Sequence, residues 1–372
     1  MAQPPSVPLH VQRLIPYSPG KPIEEVKREL GLTDVIKLAS NENPLGPSPR
    51  ALAAMQAAAA HVGLYPDGSC YSLVQALARH WDVPTEYLIA GNGSDEIIHF
   101  LGLAYLRPGD EVLSCEPTFV RYQSAAILNQ AEYIAPPLRD FRYDLAAMAE
   151  RLSPRTRMVF IANPNNPTGT IVAAAEMRRF LDLVPESAIV VVDEAYCEYA
   201  TSPDYPQTWP YVREGRNVVV LRTFSKIYAL AGLRVGYGIA RPEIIAALHQ
   251  VREPFNVSSL AQAAAMASLE DREQVERSRR TNREGLVQLT AGFARLGLRW
   301  VPSQANFILV DVGRPCVPVF QALLRRGVIV RTGDIFGLPT WLRVTVGTAA
   351  ENERFLGALS AALADERIAA TA

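Results

Sequence analysis

Short apolar runs alternate with helical patterns from about residue 46 to residue 250, and this alternation strongly limits how the chain can fold. Six runs are candidate strands, at residues 87–90, 111–115, 158–162, 189–192, 218–222 and 235–239. Runs such as Val190-Val191-Val192 are apolar on both faces, as expected of parallel strands buried in a sheet. Helical patterns lie between them, at residues 95–105, 119–129 and 173–183. The alternation predicts an α/β fold in which helices flank a mostly parallel, doubly wound sheet.

The regions on either side of this alternation divide the chain into three predicted parts. Residues 1–45 are rich in proline and turn residues and predict an N-terminal arm with a short helix near residues 23–30. Residues 46–257 form a large domain, and residues 258–372 a small α+β domain on which the arm is expected to pack. The candidate elements of the small domain are helical stretches at 258–296, 317–326 and 350–365, and strands at 306–310 and 342–346. A cleft between the two domains is the default ligand site.

Composition excludes several classes of protein. The 372 residues carry a net charge of -1 without a basic or acidic block, so we expect no nucleic-acid partner. No apolar run reaches the ~20 residues that span a bilayer, and the N-terminus lacks a signal-peptide pattern, so we expect a cytoplasmic protein without a membrane partner. The four cysteines form no C-x-x-C pair and the five histidines no ligand spacing. Reduced thiols and no metal site are the expectation.

Lysine is rare in this chain, and one lysine stands apart. The sequence holds 37 Lys and Arg residues, of which four are lysine: Lys21, Lys27, Lys37 and Lys226. Lys226 is therefore the only lysine after residue 37. Arginine stays protonated, whereas lysine can lose its proton and form an imine. The isolation of Lys226 indicates a role that arginine cannot perform, although chance retention is an equal explanation of this count alone.

The segment Thr223-Phe224-Ser225-Lys226 directly follows a predicted strand, with Arg234 eight residues beyond the lysine. Open α/β sheets bind ligands at the carboxyl ends of their strands. Two hydroxyl groups and an arginine at this edge are suited to a phosphate, which arginine can bind through two oxygens. The alternative is an ordinary junction between strand and loop.

A glycine-rich turn, Gly91-Asn92-Gly93-Ser94-Asp95-Glu96, lies between another predicted strand and a helix. Glycine lets the backbone approach a ligand closely, and the free N–H groups of a first helical turn favour an anion. The turn matches neither the P-loop nor the dinucleotide-binding pattern. Helix capping by Ser94 or Asp95 explains it equally well.

Two further polar groups end strands of the same sheet. Asp193 follows the most hydrophobic run, and an aspartate placed against a pyridine nitrogen keeps that ring protonated, so that it withdraws electrons. A helix cap or a metal ligand is the alternative role. Asn166 lies in the segment 163–169, where it is either part of a turn or a hydrogen-bond donor to a ligand oxygen.

Taken together, these motifs resemble a known family. The chain is similar to the fold-type I aminotransferases that use pyridoxal 5′-phosphate (PLP), in the order and spacing of Asn166-Pro167-Thr168-Gly169, Asp193-x-x-Tyr196 and Ser225-Lys226 with Arg234. The resemblance covers nearly the whole chain. Four narrower stretches resemble the histidinol-phosphate aminotransferase family: Pro16-Tyr17-x-Pro19-Gly20-Lys21-Pro22, Leu38-Ala39-Ser40-Asn41-Glu42-Asn43-Pro44, Tyr65-Pro66-Asp67-Gly68 and Leu342-Arg343-Val344-Thr345-Val346-Gly347.

The resemblance implies a role for each cofactor residue. Lys226 would form a Schiff base with PLP and then carry a proton between the substrate Cα and the cofactor C4′. Asp193 would pair with the pyridinium nitrogen, and Tyr196 and Asn166 would hydrogen-bond the phenolic oxygen. Phe119 would stack on the ring without the hydroxyl group of the tyrosine that many relatives carry. The phosphate would be held by Gly93, Ser94, Asp95, Thr223, Ser225 and Arg234.

The resemblance also implies the substrates and the assembly. These are L-histidinol phosphate and 2-oxoglutarate, converted to imidazole acetol phosphate and L-glutamate in histidine biosynthesis. Arg343, with Asn166, would bind the substrate, clamping the carboxylate in one half-reaction and the phosphate in the other. Arg331 and Tyr17 would assist with the phosphate, unless Arg331 pairs with Asp334 on the surface. Tyr65 would reach the cofactor phosphate of a second subunit, which makes the active unit a homodimer with shared sites.

Three other functions are compatible with parts of this pattern. An aromatic amino acid aminotransferase shares most motifs and differs in substrate contacts. A phosphothreonine decarboxylase resembles the same motifs but releases CO2. A PLP-sensing regulator would carry a DNA-binding domain, and the 45 residues of the arm show no helix-turn-helix pattern.

Overall fold

The computed structural model describes residues 5–16 and 20–365. Its strands are β1 (Ile36–Lys37), β2 (Leu88–Gly91), β3 (Glu111–Leu113), β4 (Glu132–Ile134), β5 (Thr156–Ala162), β6 (Ile189–Asp193), β7 (Val218–Thr223), β8 (Gly236–Ile239), β9 (Arg299–Val301), β10 (Phe307–Asp311), β11 (Val328–Ile329), β12 (Arg331–Thr332) and β13 (Trp341–Thr345). Its α-helices are α1 (Leu9–Gln12), α2 (Ile23–Leu30), α3 (Pro49–Ala59), α4 (Tyr71–Trp81), α5 (Ser94–Tyr105), α6 (Arg121–Leu128), α7 (Leu145–Ala149), α8 (Ala174–Leu181), α9 (Trp209–Arg213), α10 (Pro242–Val251), α11 (Ser259–Glu270), α12 (Arg272–Arg295), α13 (Cys316–Leu324) and α14 (Ala349–Leu363).

The larger sheet has seven strands in the order β2-β8-β7-β6-β5-β3-β4. Only β8 runs against the other strands of this sheet. The strands β5, β6 and β7 are buried along almost their whole length, which explains their apolar sequence. Ala162 pairs with Asp193, and Asp193 pairs with Leu221. The carboxyl ends of β5 and β6 are therefore level, and β7 runs two residues further, to Thr223. The loops that follow the three strands meet at one edge of the sheet.

The predicted α/β class with a mostly parallel sheet is confirmed, and two details of the sheet were not predicted. The run at 235–239 forms β8, which is antiparallel to β7. The chain returns from β7 to β8 through a loop without a crossover helix, and such short returns give antiparallel pairs. Strand β4 was not predicted because it is three residues long and only partly buried.

A second sheet contains four antiparallel strands in the order β12-β13-β10-β9. Helices α12, α13 and α14 cover it, and Phe293, Val319 and Phe355 are buried between helices and strands. The candidate strands at 306–310 and 342–346 correspond to β10 and β13. The flanking strands β9 and β12 were missed because runs of two or three residues carry too little periodicity to be recognised.

The N-terminal arm packs against the C-terminal part of the chain. Strand β1 pairs in parallel with β11, and Val26 and Ile329 are buried in one cluster. Helix α11, in contrast, packs on α3 and α4, and its Ala261 and Ala264 belong to the core of the larger sheet. We therefore propose that the boundary between the large and small parts falls after α11 rather than after residue 257.

The structure bears on two expectations drawn from composition. Within residues 5–16 and 20–365, every helix is too short or too polar to span a bilayer. All four cysteines, at positions 70, 115, 197 and 316, are buried free thiols.

Candidate active site

A cavity of about 270 Å³ lies at the edge of the larger sheet where β5, β6 and β7 end. It is lined by most of the residues singled out from the sequence: Ser94, Asp95, Phe119, Asn166, Asp193, Tyr196, Thr223, Ser225, Lys226, Arg234 and Arg343. Within the described part of the chain, no three His, Cys, Asp or Glu side chains form a group that could hold a metal ion. The cavity wall carries a lysine, carboxylates and hydroxyl groups.

Lys226 lies in the loop after β7 and is half-buried. Its Nζ donates a hydrogen bond to the Ser40 carbonyl oxygen at 3.2 Å and lies 5.5 Å from the centre of the Tyr196 ring. The other three lysines, Lys21, Lys27 and Lys37, each pair with a glutamate of the arm. Lys226 is thus the only lysine at the sheet edge, in agreement with its isolation in the sequence.

Asp193 is a buried carboxylate without a cationic side chain to balance it. It accepts hydrogen bonds from Tyr122 Oη at 2.9 Å and from the Ala195 backbone N–H at 3.2 Å. No ion pair to Asp193 occurs among the described residues. Burial raises the pKa of Asp193 from 3.8 to about 6, against the opposing effect of the Tyr122 hydrogen bond. A cation placed in the cavity beside Asp193 would remove this penalty.

The start of α5 and the loop before β8 form a cradle suited to an anion. Gly93 has a φ of +78°, and a Cβ atom there would lie 2.7 Å from Arg234 Nη2. Arg234 donates to Ser225 Oγ at 3.4 Å and to the Ala231 carbonyl at 3.1 Å, and it meets no carboxylate among the described residues. No side chain caps α5 at its N-terminus, so the first-turn N–H groups are available.

Two members of the predicted phosphate set are already engaged through their side chains. Arg121 Nε donates to the Asp95 carboxylate at 2.6 Å, so Asp95 can serve an anion only through its backbone N–H. Thr223 Oγ1 accepts a hydrogen bond from the Ser225 backbone N–H at 3.1 Å, which fixes the turn before Lys226. The cradle fits the phosphate of PLP, and Asp193 fits its ring nitrogen.

Arg343 joins the second sheet to the cavity. It is buried, and it donates to Asn166 Oδ1 at 2.5 Å and to the Ala39 carbonyl at 2.6 Å. Its guanidinium lies 5.4 Å from the centre of the Phe307 ring. Two of its donors are thus held in position, and the group faces the cavity that Lys226 also lines.

A second cavity, of about 600 Å³, adjoins the first and shares Phe119, Asn166 and Arg343 with it. Arg331 also lines it, and Arg331 is the register partner of Arg343 on the neighbouring strand. Side chains at paired positions project from the same face of a sheet, so both arginines serve this cavity. The described residues show no ion pair between Arg331 and Asp334.

Gly93 and Tyr65 are not among the residues that line these cavities, and the placement of Tyr17 is not described. Tyr17 lies outside the described residues, although Leu14, Ile15 and Pro16 form part of the second cavity wall. Tyr65 is 83% exposed and stacks on Phe255 with ring centres 4.7 Å apart. Leu64 beside it is 72% exposed, so Tyr65 belongs to an apolar surface rather than to its own chain's cavity.

Sequence reasoning missed Tyr122 and the part played by residues 39–41. Tyr122 follows Phe119 by three positions, and helical spacing would have placed the two rings on one face. The sequence singled out Asn41 only as part of the stretch 38–44, yet its Nδ2 donates to Tyr196 Oη at 2.9 Å. Nothing in the sequence indicates that contact, because it joins residues 155 positions apart.

Comparison with known proteins agrees with this geometry. The sequence model of the family described as "Aminotransferase class I and II" matches residues 33–359. The histidinol-phosphate aminotransferase of Moorella thermoacetica is 58% identical over 350 residues, covering 94% of this chain and 91% of that protein. That of Symbiobacterium thermophilum is 52% identical over 97% of this chain and 99% of its own length. The structure of histidinol-phosphate aminotransferase from Sinorhizobium meliloti in complex with pyridoxal 5′-phosphate superposes with a TM-score of 0.88 at 27% identity, covering 95% of this chain and 96% of that chain.

We predict that Asp193→Asn stabilises the cofactor-free protein at neutral pH. A carboxyl group whose folded pKa is about 6 rather than 3.8 loses stability as the pH rises from about 4 to 6, because the folded state holds the proton more tightly. The full penalty above pH 6 is roughly 3 kcal/mol, at 1.36 kcal/mol per pKa unit. Urea unfolding at pH 7.5 should show a variant more stable than the wild type by up to about that amount, and at pH 4.5 the gap should shrink to about 1 kcal/mol.

Asp204→Asn, at an exposed position, is the matched control and should change little at either pH. An Asp193→Asn effect of the same size at both pH values would show that the burial of the charge is not what the substitution relieves.

Proposed function

The chain belongs to the class I and II aminotransferase family, and we propose that it uses PLP to transfer the amino group of L-histidinol phosphate to 2-oxoglutarate, giving imidazole acetol phosphate and L-glutamate. The observation that carries the proposal is the placement of Lys226 and the cation-free carboxylate of Asp193 in one cavity. The relatives at 58% and 52% identity bear the name of this activity and match nearly the whole chain.

Each part of the cavity suits one part of the cofactor. Lys226 Nζ would hold PLP covalently, Asp193 would pair with the ring nitrogen, and Tyr196 and Asn166 would contact the phenolic oxygen. Phe119 would cover one face of the ring. The cradle formed by Gly93, Ser94, Asp95, Thr223, Ser225 and Arg234 would hold the phosphate, with Asp95 contributing its backbone N–H. When bound, PLP supplies an electron sink that stabilises negative charge at the substrate Cα.

The side chains of the protein then move and hold protons. Once the substrate amine has replaced it, Lys226 Nζ would take the proton from the substrate Cα and deliver it to the cofactor C4′. The Ser40 carbonyl oxygen, 3.2 Å from Nζ, holds the lysine amine in place through a hydrogen bond. Asp193 would keep a proton on the ring nitrogen, because its burial makes a neighbouring positive charge favourable. The amino donor and the keto acid that accepts the amino group would bind to the same site in turn.

Substrate recognition is assigned to the two arginines of the second sheet. Arg343 lines both cavities and would bind the carboxylate of glutamate or the phosphate of histidinol phosphate. Arg331 lines the larger cavity only and would bind the phosphate, with Tyr17 from the arm. Planar guanidinium groups bind two oxygens of either anion at once. An aromatic amino acid aminotransferase has no phosphate to bind at Arg331, so the pair favours the phosphorylated donor.

The active unit is proposed to be a cytoplasmic homodimer. Tyr65 lies on an exposed apolar surface with Val62, Leu64 and Phe255, each at least 45% exposed. Such a surface on a single chain marks a contact with another protein. A second copy seated there would cover the patch and bring its own Tyr65 toward the cofactor phosphate of the first.

Lys226→Ala should abolish transamination and remove the visible absorption of bound PLP. General-base catalysis alone supplies roughly 10²–10⁴-fold, so a loss of at least ~10³-fold in kcat is expected. Lys226→Arg should be as inactive, because a charge without a removable proton does not help. Lys37→Ala, at a lysine paired with Glu42 in the arm, is the control and should stay active. Sustained turnover by Lys226→Ala would refute the assignment.

Arg331→Ala should separate the phosphorylated from the unphosphorylated donor. A charge-assisted contact is worth about 1.5–3 kcal/mol, so kcat/KM for histidinol phosphate should fall roughly ten- to a hundredfold. The loss for glutamate or for unphosphorylated histidinol should stay within about threefold. Arg325→Ala, an exposed arginine nearby, serves as control. Equal losses for all donors would reject Arg331 as the phosphate contact and favour the aromatic aminotransferase. Release of CO2 from phosphothreonine would favour the decarboxylase.

Hybrid dimers test the shared site. Mixing Tyr65→Ala chains with Lys226→Ala chains should restore activity, since both lesions fall in one of the two sites and the other site is intact. Each variant mixed with itself should stay at its own low level. If subunit exchange is proven, for example by differently tagged chains, and activity does not return, each site is built from one chain.

A further inference from the structure

Three consecutive residues of the arm contact three residues of the active site. The Ala39 carbonyl accepts from Arg343 Nη2 at 2.6 Å, and the Ser40 carbonyl accepts from Lys226 Nζ at 3.2 Å. Asn41 Nδ2 donates to Tyr196 Oη at 2.9 Å. The first two contacts use backbone oxygens, which any residue would supply. The third depends on the asparagine side chain and is therefore open to test by substitution.

Asn41 is held firmly in one orientation. It is 1% exposed, and its backbone N–H donates to Thr345 Oγ1 at 2.9 Å. The Thr345 hydroxyl donates in return to Asn41 Oδ1 at 3.1 Å, and Asn306 Nδ2 donates to the Asn41 carbonyl at 3.0 Å. The carboxamide oxygen therefore faces Thr345, and its nitrogen faces Tyr196.

This arrangement decides where the Tyr196 proton points. A phenolic hydroxyl has one proton, and burial raises the pKa of Tyr196, so the group stays protonated at neutral pH. The side of Oη that faces Asn41 meets an N–H group and cannot donate there. No other hydrogen bond to Tyr196 Oη is found among the described residues. The proton is left to point into the cavity, which Tyr196 lines.

We propose that Asn41 is a positioning residue that directs the Tyr196 hydroxyl proton onto the phenolic oxygen of the bound cofactor. This rests on the proposed function, because it needs PLP on Lys226. A donor on that oxygen withdraws electron density from it and weakens its hold on the neighbouring imine proton. The lysine-bound cofactor then loses its proton at a lower pH than it would without Asn41.

Other charged groups also affect the Tyr196 hydroxyl, and the test must separate their effects from the effect of Asn41. Arg343 and Asp193 affect the pKa of Tyr196 in opposite directions, and Lys226 Nζ lies 5.5 Å from the centre of its ring. These three groups are unchanged by a substitution at position 41. A new charge at position 41, however, would act on the cofactor directly as well as through Tyr196.

Asn41→Asp is the sharpest variant, because a carboxylate accepts where the carboxamide donated and draws the Tyr196 proton away from the cofactor. The readout is the pH titration of the visible absorption of bound PLP, which does not require turnover. The apparent pKa should rise by roughly one unit, a tenfold tighter hold on the proton. Tyr196→Phe alone should raise it as well.

The double variant identifies the route of the effect. If Asn41 acts through Tyr196, adding Asn41→Asp to Tyr196→Phe should raise the apparent pKa by clearly less than the same substitution does in the wild type, whereas a purely direct charge effect would persist undiminished. An equal rise in both backgrounds would overturn the proposal. So would no rise in the Asn41→Asp single variant.

A second variant keeps the proposal testable if Asn41→Asp does not fold. Asn41→Ala introduces no charge and should raise the same apparent pKa by a smaller amount, again only when Tyr196 is present. Its fold is checked by thermal unfolding with and without PLP. If the wild type itself binds no PLP through Lys226, the proposed function fails. If it binds PLP and the Asn41→Ala titration is unchanged, only the role of Asn41 fails.

Discussion

The register of β5, β6 and β7 is the constraint on which the rest of the molecule depends. Because Ala162, Asp193 and Leu221 lie side by side, β5 and β6 end at the same height and β7 ends two residues further on. A shift of register by one residue would turn Asp193 to the other side of the sheet. The side chains on both faces of these strands are buried, so the core that stabilises the fold also holds the residues that line the cavity in place.

The carboxylates that end β6 illustrate two ways of burying charge. Glu194 is fully buried but pairs with Arg222 at the end of β7, at 2.5 Å, which ties the two strands together on the side away from the cavity. Asp193, its neighbour, has hydrogen bonds from Tyr122 and Ala195 but no cationic partner among the described residues. One carboxylate is balanced by an arginine, and the other lines the cavity without such a partner in the described part of the chain. Two adjacent residues therefore differ in their roles: Glu194 joins two strands, and Asp193 lines the cavity.

Much of the fold and of the candidate site could be predicted from the sequence, and the features that could not be predicted share a cause. Long buried strands such as β5 and β6 can be recognised in the sequence because both of their faces are apolar. Lys226 can be recognised because it is the only lysine after residue 37. The direction of β8 could not be predicted, since it follows from the path of the loop that precedes it. Strand β12 is too short to recognise in the sequence, so the register that places Arg331 beside Arg343 is seen only in the structure. The contact between Asn41 and Tyr196 has no local signature, because it depends on how distant parts of the chain pack.

The arm meets the cavity alongside residues that lie far away along the chain. Asn41 and Thr345 are bonded to each other although 304 residues separate them. A ribosome makes Asn41 long before Thr345, so a nascent chain can fold most of the larger sheet while this corner of the cavity stays open. Lys226, Asp193 and Arg234 all belong to the part made first, whereas Arg343 is made more than a hundred residues later. The wall of the cavity that carries Arg343 is therefore the last to form.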